Sequence, residues 1–326
     1  MRRREFIKMA AGASVAGCNA ARAQQSKRML RVGMAAFSPR TIAPFVAFER
    51  RMFEHGYREG ENYTFDYVRT KGPGLAEYEA SYREVAERNP DILFAPATEM
   101  NLKAALAASP TAPIVMIAVE YDPFARGYVT SLAHPGGRIT GVSLQQIELT
   151  WKRLQLFKDA FPDFVSTTVF FDALSEDQWL AAENASAKLG LRLSGIDLRV
   201  PPFDYDNAFA QAQPEDRKNL FVLGSPRIFA DRKRLAEFAV RSRLTTMFPD
   251  RSFAEAGGLM SYGPNINAMF SKAADILDRI ARGAEPGDLP VEQPTKFEFV
   301  INLTTARALG LELSPSLLAR ADEVIE

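Results

Sequence analysis

The stretch ILFAPATEMNLKAALAASPTAPIVMIAVEYDP, residues 92–123, decides the fold. It begins with the apolar run Ile92-Leu93-Phe94-Ala95, continues through residues 100–108, which favour a helix, and returns to an apolar run at residues 114–119. The second run contains several β-branched residues and does not alternate with polar ones, which is typical of a parallel strand covered on both faces. We therefore predict a strand, a crossover helix and a second, parallel strand.

The same unit occurs on both sides of this stretch. Upstream, Leu30–Ala36 and the alternating residues 63–67 predict strands, while residues 44–55 and 75–88 have the apolar spacing of amphipathic helices. Downstream, residues 139–143 predict the strand that closes this first series.

A second series of alternating elements follows. Predicted helices cover residues 149–161, 178–189 and 232–242, and predicted strands cover residues 167–171, 191–198, 220–223, 245–248 and 258–262. A long amphipathic helix is predicted over residues 265–281. Residues 283–294, which contain Pro286-Gly287 and Pro290, predict an exposed crossing strand or linker. Two such series predict an α/β fold with two doubly wound parallel-sheet lobes.

Length, composition and charge limit the class of protein. The chain has 326 residues, enough for two domains at roughly 150 residues each. Forty basic residues balance forty acidic ones, so nothing indicates the positively charged surface of a nucleic-acid-binding protein. One cysteine, Cys18, and two histidines, His55 and His134, exclude a disulfide framework, a Cys-rich zinc site and a site with three His ligands, while carboxylate metal sites stay possible.

The N-terminus has the pattern of an export signal. A basic segment ending at Lys8 precedes an Ala/Gly-rich stretch too short to span a bilayer. Arg3-Arg4-Glu5-Phe6-Ile7-Lys8 resembles the twin-arginine signal, and Ala21-Arg22-Ala23 resembles a signal-peptidase site, so we predict a signal peptide over residues 1–23. Two alternatives stay open: Val15-Ala16-Gly17-Cys18 also resembles a lipobox, which would anchor the protein through lipidated Cys18, or the segment is a disordered cytosolic N-terminus.

Polar and aromatic residues follow the predicted strands. In open parallel sheets a ligand lies beyond the carboxyl ends of the strands, where loops converge and helices present free N–H groups. Hydroxyls, carboxylates, Arg and Tyr at these ends are the chemistry of a cleft for a polar small molecule. The candidate ligand-binding residues are Ser38, Thr98, Glu99, Glu120 and Tyr121 in the first lobe, and Asp172, Ser225, Arg227 and Asp250 in the second.

Each candidate also has a plain structural interpretation. Ser, Asp and Pro are common at strand ends because they cap helices and form turns. Glu120 is the hardest to explain in this way, because an unpaired carboxylate directly after a buried strand carries a desolvation penalty. Arg40 and Arg251 are predicted to be solvated or paired at the surface.

Catalytic motifs are mostly absent. The sequence contains no Gly-x-Ser-x-Gly elbow, no His-Glu-x-x-His and no Walker loop. His55 is predicted at the C-terminal end of a helix and His134 in a tight turn, so neither is well placed as a catalytic base. We predict no enzymatic activity.

Three further stretches resemble a known family. These are Leu132-Ala133-His134-Pro135-Gly136-Gly137-Arg138-Ile139-Thr140-Gly141-Val142-Ser143, residues 256–264 and residues 288–298 with 317–323. With the Ala-Arg-Ala-Gln-Gln that ends the signal, they make the chain similar to the ABC transporter substrate-binding protein family with the type I periplasmic-binding fold, in its tryptophan-binding-protein-like branch.

This resemblance implies two lobes joined by three crossings, with a small organic solute trapped between them and offered to the membrane subunits of an ABC permease. We expect lobe 1 over residues 27–146 plus 264–289 and lobe 2 over residues 147–263 plus 290–326. The expected solute is an amino acid or a small aromatic acid. We further expect a periplasmic monomer that uses no cofactor, holds no metal and binds no nucleic acid.

Two other functions stay open at this point. The protein could feed a sensor or chemoreceptor rather than a permease, which the sequence does not distinguish. It could also be a periplasmic enzyme built on the same lobes, in which case it would turn over its solute rather than release it unchanged.

Overall fold

The computed structural model describes residues 29–199 and 202–326. The predicted signal peptide and Cys18 lie outside these residues. The first sheet has five parallel strands in the order β2-β1-β3-β4-β5. They are β1 Leu30–Ala36, β2 Tyr63–Arg69, β3 Ile92–Ala97, β4 Ile114–Ala118 and β5 Ile139–Ser143. The strand, helix and strand predicted from residues 92–123 are confirmed as β3, a helix and β4, with β3 and β4 paired directly.

Three helices connect these strands. They are α1 Ala43–Glu54, α2 Leu75–Glu87 and α3 Glu99–Ala108. Helix α1 buries Phe45, Phe48 and Met52, whose three- and four-residue spacing places them on one face of the helix. Apolar clusters cover both faces of the sheet, as the non-alternating strands predicted.

The second sheet has seven strands in the order β12-β11-β10-β9-β8-β6-β7. They are β6 Ser166–Phe171, β7 Arg192–Asp197, β8 Asn219–Val222, β9 Thr245–Phe248, β10 Met260–Pro264, β11 Phe297–Asn302 and β12 Glu323–Ile325. The sequence reading missed β11 and β12, and β11 runs antiparallel to β10. This sheet is therefore parallel except at one pair.

Six helices accompany β6 to β10. They are α4 Gln146–Ala160, α5 Glu176–Leu189, α6 Tyr205–Phe209, α7 Pro226–Ala230, α8 Arg232–Arg241 and α9 Arg251–Glu255. Apolar clusters again lie on both faces of the sheet. We refer to the five-stranded sheet with its helices as the first lobe and to the seven-stranded sheet with its helices as the second.

The chain passes between the lobes three times. It leaves β5 for α4, returns from β10 to α10 Ile266–Ala281, which packs on the first sheet against α1, and then enters β11. Two short helices, α11 Leu303–Leu309 and α12 Pro315–Leu318, complete the second lobe. The residue boundaries predicted for the two lobes stay a prediction.

The third crossing, predicted to be exposed over residues 283–294, is exposed only in part: Gly283, Glu285, Asp288 and Pro290 are exposed, whereas other residues between them are buried. Leu289 and Val291 are buried, and the backbone N–H of Glu292 donates to the carbonyl of Gly141 at 2.8 Å. The segment thus extends the edge of the first sheet beside β5. Gly141 is required there, because a Cβ atom on it would lie 2.0 Å from the carbonyl oxygen of Met116.

Within the described part of the chain, no helix combines the length and apolar character needed to cross a membrane.

Candidate functional site

A cavity of about 680 Å³, which we call the cleft, lies between the carboxyl ends of the strands of both lobes. Residues that follow β1, β3, β4 and β5 form one wall, and residues that follow β6, β7, β8 and β9 form the other. The volume falls within the range of pockets for small organic molecules. A molecule in the cleft would contact both lobes at once.

The first-lobe wall is apolar with a few hydroxyl and amide groups. Ser38 and Thr98 line it, and Thr98 caps α3 by accepting a hydrogen bond from the backbone N–H of Asn101 at 3.1 Å. Asn101 is fixed in turn, because its amide donates to the carbonyls of Ala35 and Pro96. Ala97 has a φ of 76°, a left-handed conformation that costs a non-glycine residue about 1 kcal/mol or more.

The second-lobe wall carries the charges. Ser225, Arg227 and Asp250 line it, together with the ion pair in which Arg234 donates to Asp231 at 2.8 Å. Among the described residues, Arg227 has no carboxylate within salt-bridge distance, and its buried Nε has no hydrogen-bond partner. The cleft therefore contains a guanidinium group whose charge no protein carboxylate neutralises.

Asp250 is buried at the start of α9. Its Oδ1 accepts hydrogen bonds from the backbone N–H and the hydroxyl of Ser252, which makes it the N-cap of this helix. Burial raises the pKa of Asp250, while the hydrogen bonds from Ser252 and the positive charges of Arg153 and Arg232 oppose the shift. This carboxylate would be stabilised further by a cationic group of a ligand.

Arg153 of α4 hydrogen-bonds one of the residues that line the cleft. It is fully buried, its Nε donates to the carbonyl of Tyr262 at 2.8 Å, and its Nη2 donates to Oε1 of Gln146, which lines the cleft. Burial lowers the pKa of Arg153 to about 10. The sequence analysis missed this residue, because an Arg in the middle of an amphipathic helix usually lies at the surface.

Five of the nine predicted ligand-binding residues line the cleft, and four do not. Ser38, Thr98, Ser225, Arg227 and Asp250 line it. Three of these five are also helix N-caps, so the structural interpretation and the ligand-binding interpretation apply to the same side chains.

The carboxylates of Asp172 and Glu99 accept hydrogen bonds from other protein groups. Asp172 is fully buried behind the second-lobe wall, where its Oδ2 accepts a hydrogen bond from Ser225 Oγ at 2.7 Å. It orients a hydroxyl that lines the cleft. The carboxylate of Glu99 accepts from the hydroxyl of Tyr128 at 2.7 Å and pairs with Lys103 at 3.1 Å.

Tyr121 belongs to the core of the first lobe. It is buried, its hydroxyl lies 3.7 Å from the sulfur of Met116, and its ring packs edge-on against Tyr128. The chain bends directly after β4, and Tyr121 packs into the core rather than into the cleft.

Glu120 is buried close to the seam between the lobes. Its Oε1 accepts from the backbone N–H of Glu99 at 2.7 Å, whereas its buried Oε2 has no hydrogen-bond partner among the described residues. Burial raises the pKa of Glu120 to about 8, and the negative charges of Glu99 and Asp172 add to the shift. The desolvation penalty expected from the sequence is present, although Glu120 does not line the cleft. Contact of these four residues with a solute stays a prediction.

The aromatic lining is the feature that the sequence analysis did not select. It consists of seven residues drawn from both lobes: Phe37, Phe45, Tyr78, Phe203, Phe229, Phe253 and Phe270. Phe37 directly follows a predicted strand and Phe203 lies in the loop after β7; the other five lie on helices, where an apolar residue normally indicates core. No pattern in the sequence separates a helical Phe that faces a cleft from one that faces a sheet.

The remaining polar candidates lie elsewhere. Arg40 is paired with Glu49 and Glu59, and Arg251 with Glu255, Glu298 and Glu323, which confirms the prediction of paired surface residues. Neither His55 nor His134 is among the residues that line the cleft. In the residues that the structure describes, no group of three or more His, Cys, Asp and Glu side chains is arranged to hold a metal ion.

Comparison with known proteins identifies similar chains. The family model described as ABC transporter substrate binding protein matches residues 47–325. A tyrosine-binding protein of Clostridioides difficile (strain R20291) is 22% identical over 267 residues, which are 81% of this chain and 76% of that protein.

Solved structures share the fold. A conserved domain protein from Vibrio cholerae has a TM-score of 0.81 at 24% identity, covering 91% of this chain and 100% of that one. An ABC domain from Streptococcus pneumoniae in complex with L-Trp has a TM-score of 0.78 at 19% identity, with the same coverage of both chains. These similarities confirm the predicted α/β fold of two parallel-sheet lobes, the type I periplasmic-binding fold.

Proposed function

We propose that this chain, which belongs to the ABC transporter substrate-binding protein family, binds a small organic acid with an aromatic body in the cleft. Aromatic amino acids are the first candidates, and aromatic acids without an amino group are the second. The solute would be released chemically unchanged, so no enzymatic step is part of the proposal.

The observation that carries this proposal is the guanidinium of Arg227 in an aromatic cleft. Arg227 has no protein carboxylate as partner within the described residues, and its buried Nε lacks an acceptor. A buried donor without a partner is costly, and a ligand carboxylate would satisfy it with a charge-assisted hydrogen bond worth about 1.5 to 3 kcal/mol. The seven aromatic side chains of the lining would cover the apolar part of the same ligand.

An amino group would find its partner in Asp250. The two relatives described above support this choice, since one is named for binding tyrosine and the other was solved with L-Trp. An ammonium group beside Asp250 would counteract the burial that raises the pKa of this carboxyl.

Binding would be coupled to closure of the two lobes. A ligand favours the closed form only through the contacts that closure adds, and a change from about 1:99 to 99:1 needs about 5.5 kcal/mol of such contacts. Charge-assisted bonds to the second lobe, combined with aromatic contacts to the first, would supply a difference of this size. The lobes proposed to move are residues 27–146 plus 264–289 and residues 147–263 plus 290–326.

We further propose that the protein is exported through its twin-arginine-like signal, is cleaved after Ala23 and acts in the periplasm as a monomer. Lipidation of Cys18 is the alternative form of attachment. The closed form would deliver the solute to the membrane subunits of an ABC permease. Genes for a permease and an ATPase beside this one would favour that partner over a sensor or chemoreceptor.

The test is identification of the solute, followed by binding to a matched pair of variants. Native mass spectrometry of the purified protein identifies a co-purified molecule, and a thermal-shift screen covers amino acids and aromatic acids; a ligand at 100 times its Kd adds about 2.7 kcal/mol. Arg227→Gln should weaken binding at least tenfold, whereas Arg307→Gln, an exposed residue that lines neither cavity, should not change the Kd.

Two results would overturn the proposal. One is unchanged affinity of Arg227→Gln for the identified solute. The other is recovery of a chemically altered solute after incubation with the protein.

A further inference from the structure

A second cavity of about 410 Å³, which we call the side chamber, adjoins the cleft. Phe229, Asp250 and Ile266 line both cavities, so the chamber lies on the other side of residues that also face the cleft. It is formed at the starts of α8, α9 and α10. A ligand bound in the cleft thus has a second polar space next to it.

Three cationic and two anionic side chains line the side chamber. Arg232, Lys233 and Arg251 line it, facing the carboxylates of Asp250 and Glu255. Arg251 is already neutralised by Glu255 at 2.8 Å and by two further glutamates. Within the described ranges, Arg232 and Lys233 have no carboxylate within salt-bridge distance, which leaves two cations available to a ligand.

Arg232 is held in position by other contacts. Its guanidinium lies 4.7 Å from the centre of the Phe229 ring, and its Nη1 donates to the Phe229 carbonyl at 3.2 Å. Its positive charge favours the ionised form of Asp250, which lines both the chamber and the cleft. A cation that is already fixed against an aromatic wall loses less conformational entropy when it binds an anion than a free surface side chain does.

We propose that the side chamber is a subsite for a second anionic group of the ligand, so that the preferred solutes are acids with two negatively charged ends on an apolar body. This inference rests on the proposed function, because it places the first carboxylate at Arg227 in the cleft. Arg232 and Lys233 bind the second carboxylate or phosphate and thereby select among aromatic acids.

The experiment uses two matched pairs of probes, in each of which a carboxylate replaces one ring hydrogen: benzoate with terephthalate, and L-phenylalanine with 4-carboxy-L-phenylalanine. Calorimetric titration gives the Kd of each probe for the wild-type chain. We expect the dicarboxylate of at least one pair to bind at least tenfold more tightly than its partner. The double variant Arg232→Gln/Lys233→Gln should reduce that preference to threefold or less.

The control is Lys218→Gln/Arg307→Gln, which removes the same charge at exposed positions that line neither cavity and should keep the full preference. Equal affinity within both pairs in the wild type, or a preference that persists in Arg232→Gln/Lys233→Gln, would overturn the subsite while leaving the proposed function intact. Failure of all four probes and of L-tryptophan to bind would instead overturn the proposed function, and the subsite with it.

Discussion

The two walls of the cleft differ in the charged side chains that they present to the cavity. The first-lobe wall presents Ser38, Thr98 and aromatic rings, and its nearest carboxylate, Glu120, is buried behind the surface. The second-lobe wall presents Arg227, Asp250 and the pair of Arg234 with Asp231 directly to the cavity. Under the proposed function, the second lobe would recognise the charged end of a solute, and the first lobe would cover its body when the lobes close.

The largest expected difference between the walls is the pH dependence of stability that Glu120 of the first lobe causes. The pKa of Glu120 is raised to about 8, so the folded protein keeps this proton while the unfolded chain loses it near pH 4.5. Stability should therefore fall as pH rises from about 4.5 to 8, and Glu120→Gln should remove that loss, on the order of 3 to 5 kcal/mol at pH 8 and above. Urea denaturation from pH 5 to 9 measures it.

Glu87→Gln, at an exposed position of α2 that lines neither cavity, is the matched control for this measurement. It removes a carboxyl that faces solvent, so it should give no stabilisation that grows between pH 5 and 8. Parallel pH profiles of wild type and Glu120→Gln would contradict the description of Glu120 as a buried carboxyl without a cationic partner.

The next largest effect concerns Asp250 of the second lobe. If this carboxylate binds an amino group, Asp250→Asn should weaken the binding of an aromatic amino acid about tenfold or more, because a charge-assisted hydrogen bond is lost. An aromatic acid without an amino group should bind with the same or a higher affinity. Titration of both ligands measures the difference, with Asp163→Asn, an exposed residue outside both cavities, as control. Equal losses for both ligands would show that Asp250 acts only as the cap of α9.

A smaller effect is expected from the backbone of the first-lobe wall. Ala97→Gly removes the strain of a φ of 76° at a cost in chain entropy, so the net gain in unfolding free energy should be about 0.5 to 1 kcal/mol. Ala104→Gly, in the middle of α3, should instead destabilise the protein. A loss of stability in Ala97→Gly would mean that the left-handed conformation costs nothing here.

The smallest effect concerns the ion pair that joins the walls at the surface. Arg126 of the first lobe donates to Asp177 of α5 at 2.7 Å, with both side chains partly exposed. Arg126→Ala should weaken ligand binding by about 0.5 kcal/mol, and only at low salt. The exchange Arg126→Asp/Asp177→Arg should restore most of the affinity. A salt-independent loss would show that Arg126 acts through packing rather than charge.

The fold was largely predictable from the sequence, for a physical reason. Strands buried on both faces, such as Ile114–Ala118, require continuous apolar residues, and this pattern is visible without knowledge of neighbours. Strand β11 was missed although Phe297–Asn302 has the aromatic and β-branched residues that are typical of a strand. Its antiparallel pairing with β10, by contrast, is a tertiary contact between separate parts of the chain.

The site was predictable only in part. Strand ends identified Ser38, Thr98, Ser225, Arg227 and Asp250, because topology places those positions at one edge of each sheet. The direction of each side chain depends on tertiary packing, which buried Tyr121 in the core and turned Phe229 and Phe270 toward the cleft. Arg153 could not be selected because nothing local to α4 indicates that this face is covered by Gln146 and Tyr262.

The most direct test of a cleft that closes on its solute is small-angle X-ray scattering of the chain alone and at saturation, with occupancy verified by titration. A lower radius of gyration in the saturated wild type, and no change in Arg227→Gln at the same concentration of solute, is the predicted result. Superimposable curves for the free and the fully occupied wild type would contradict the account.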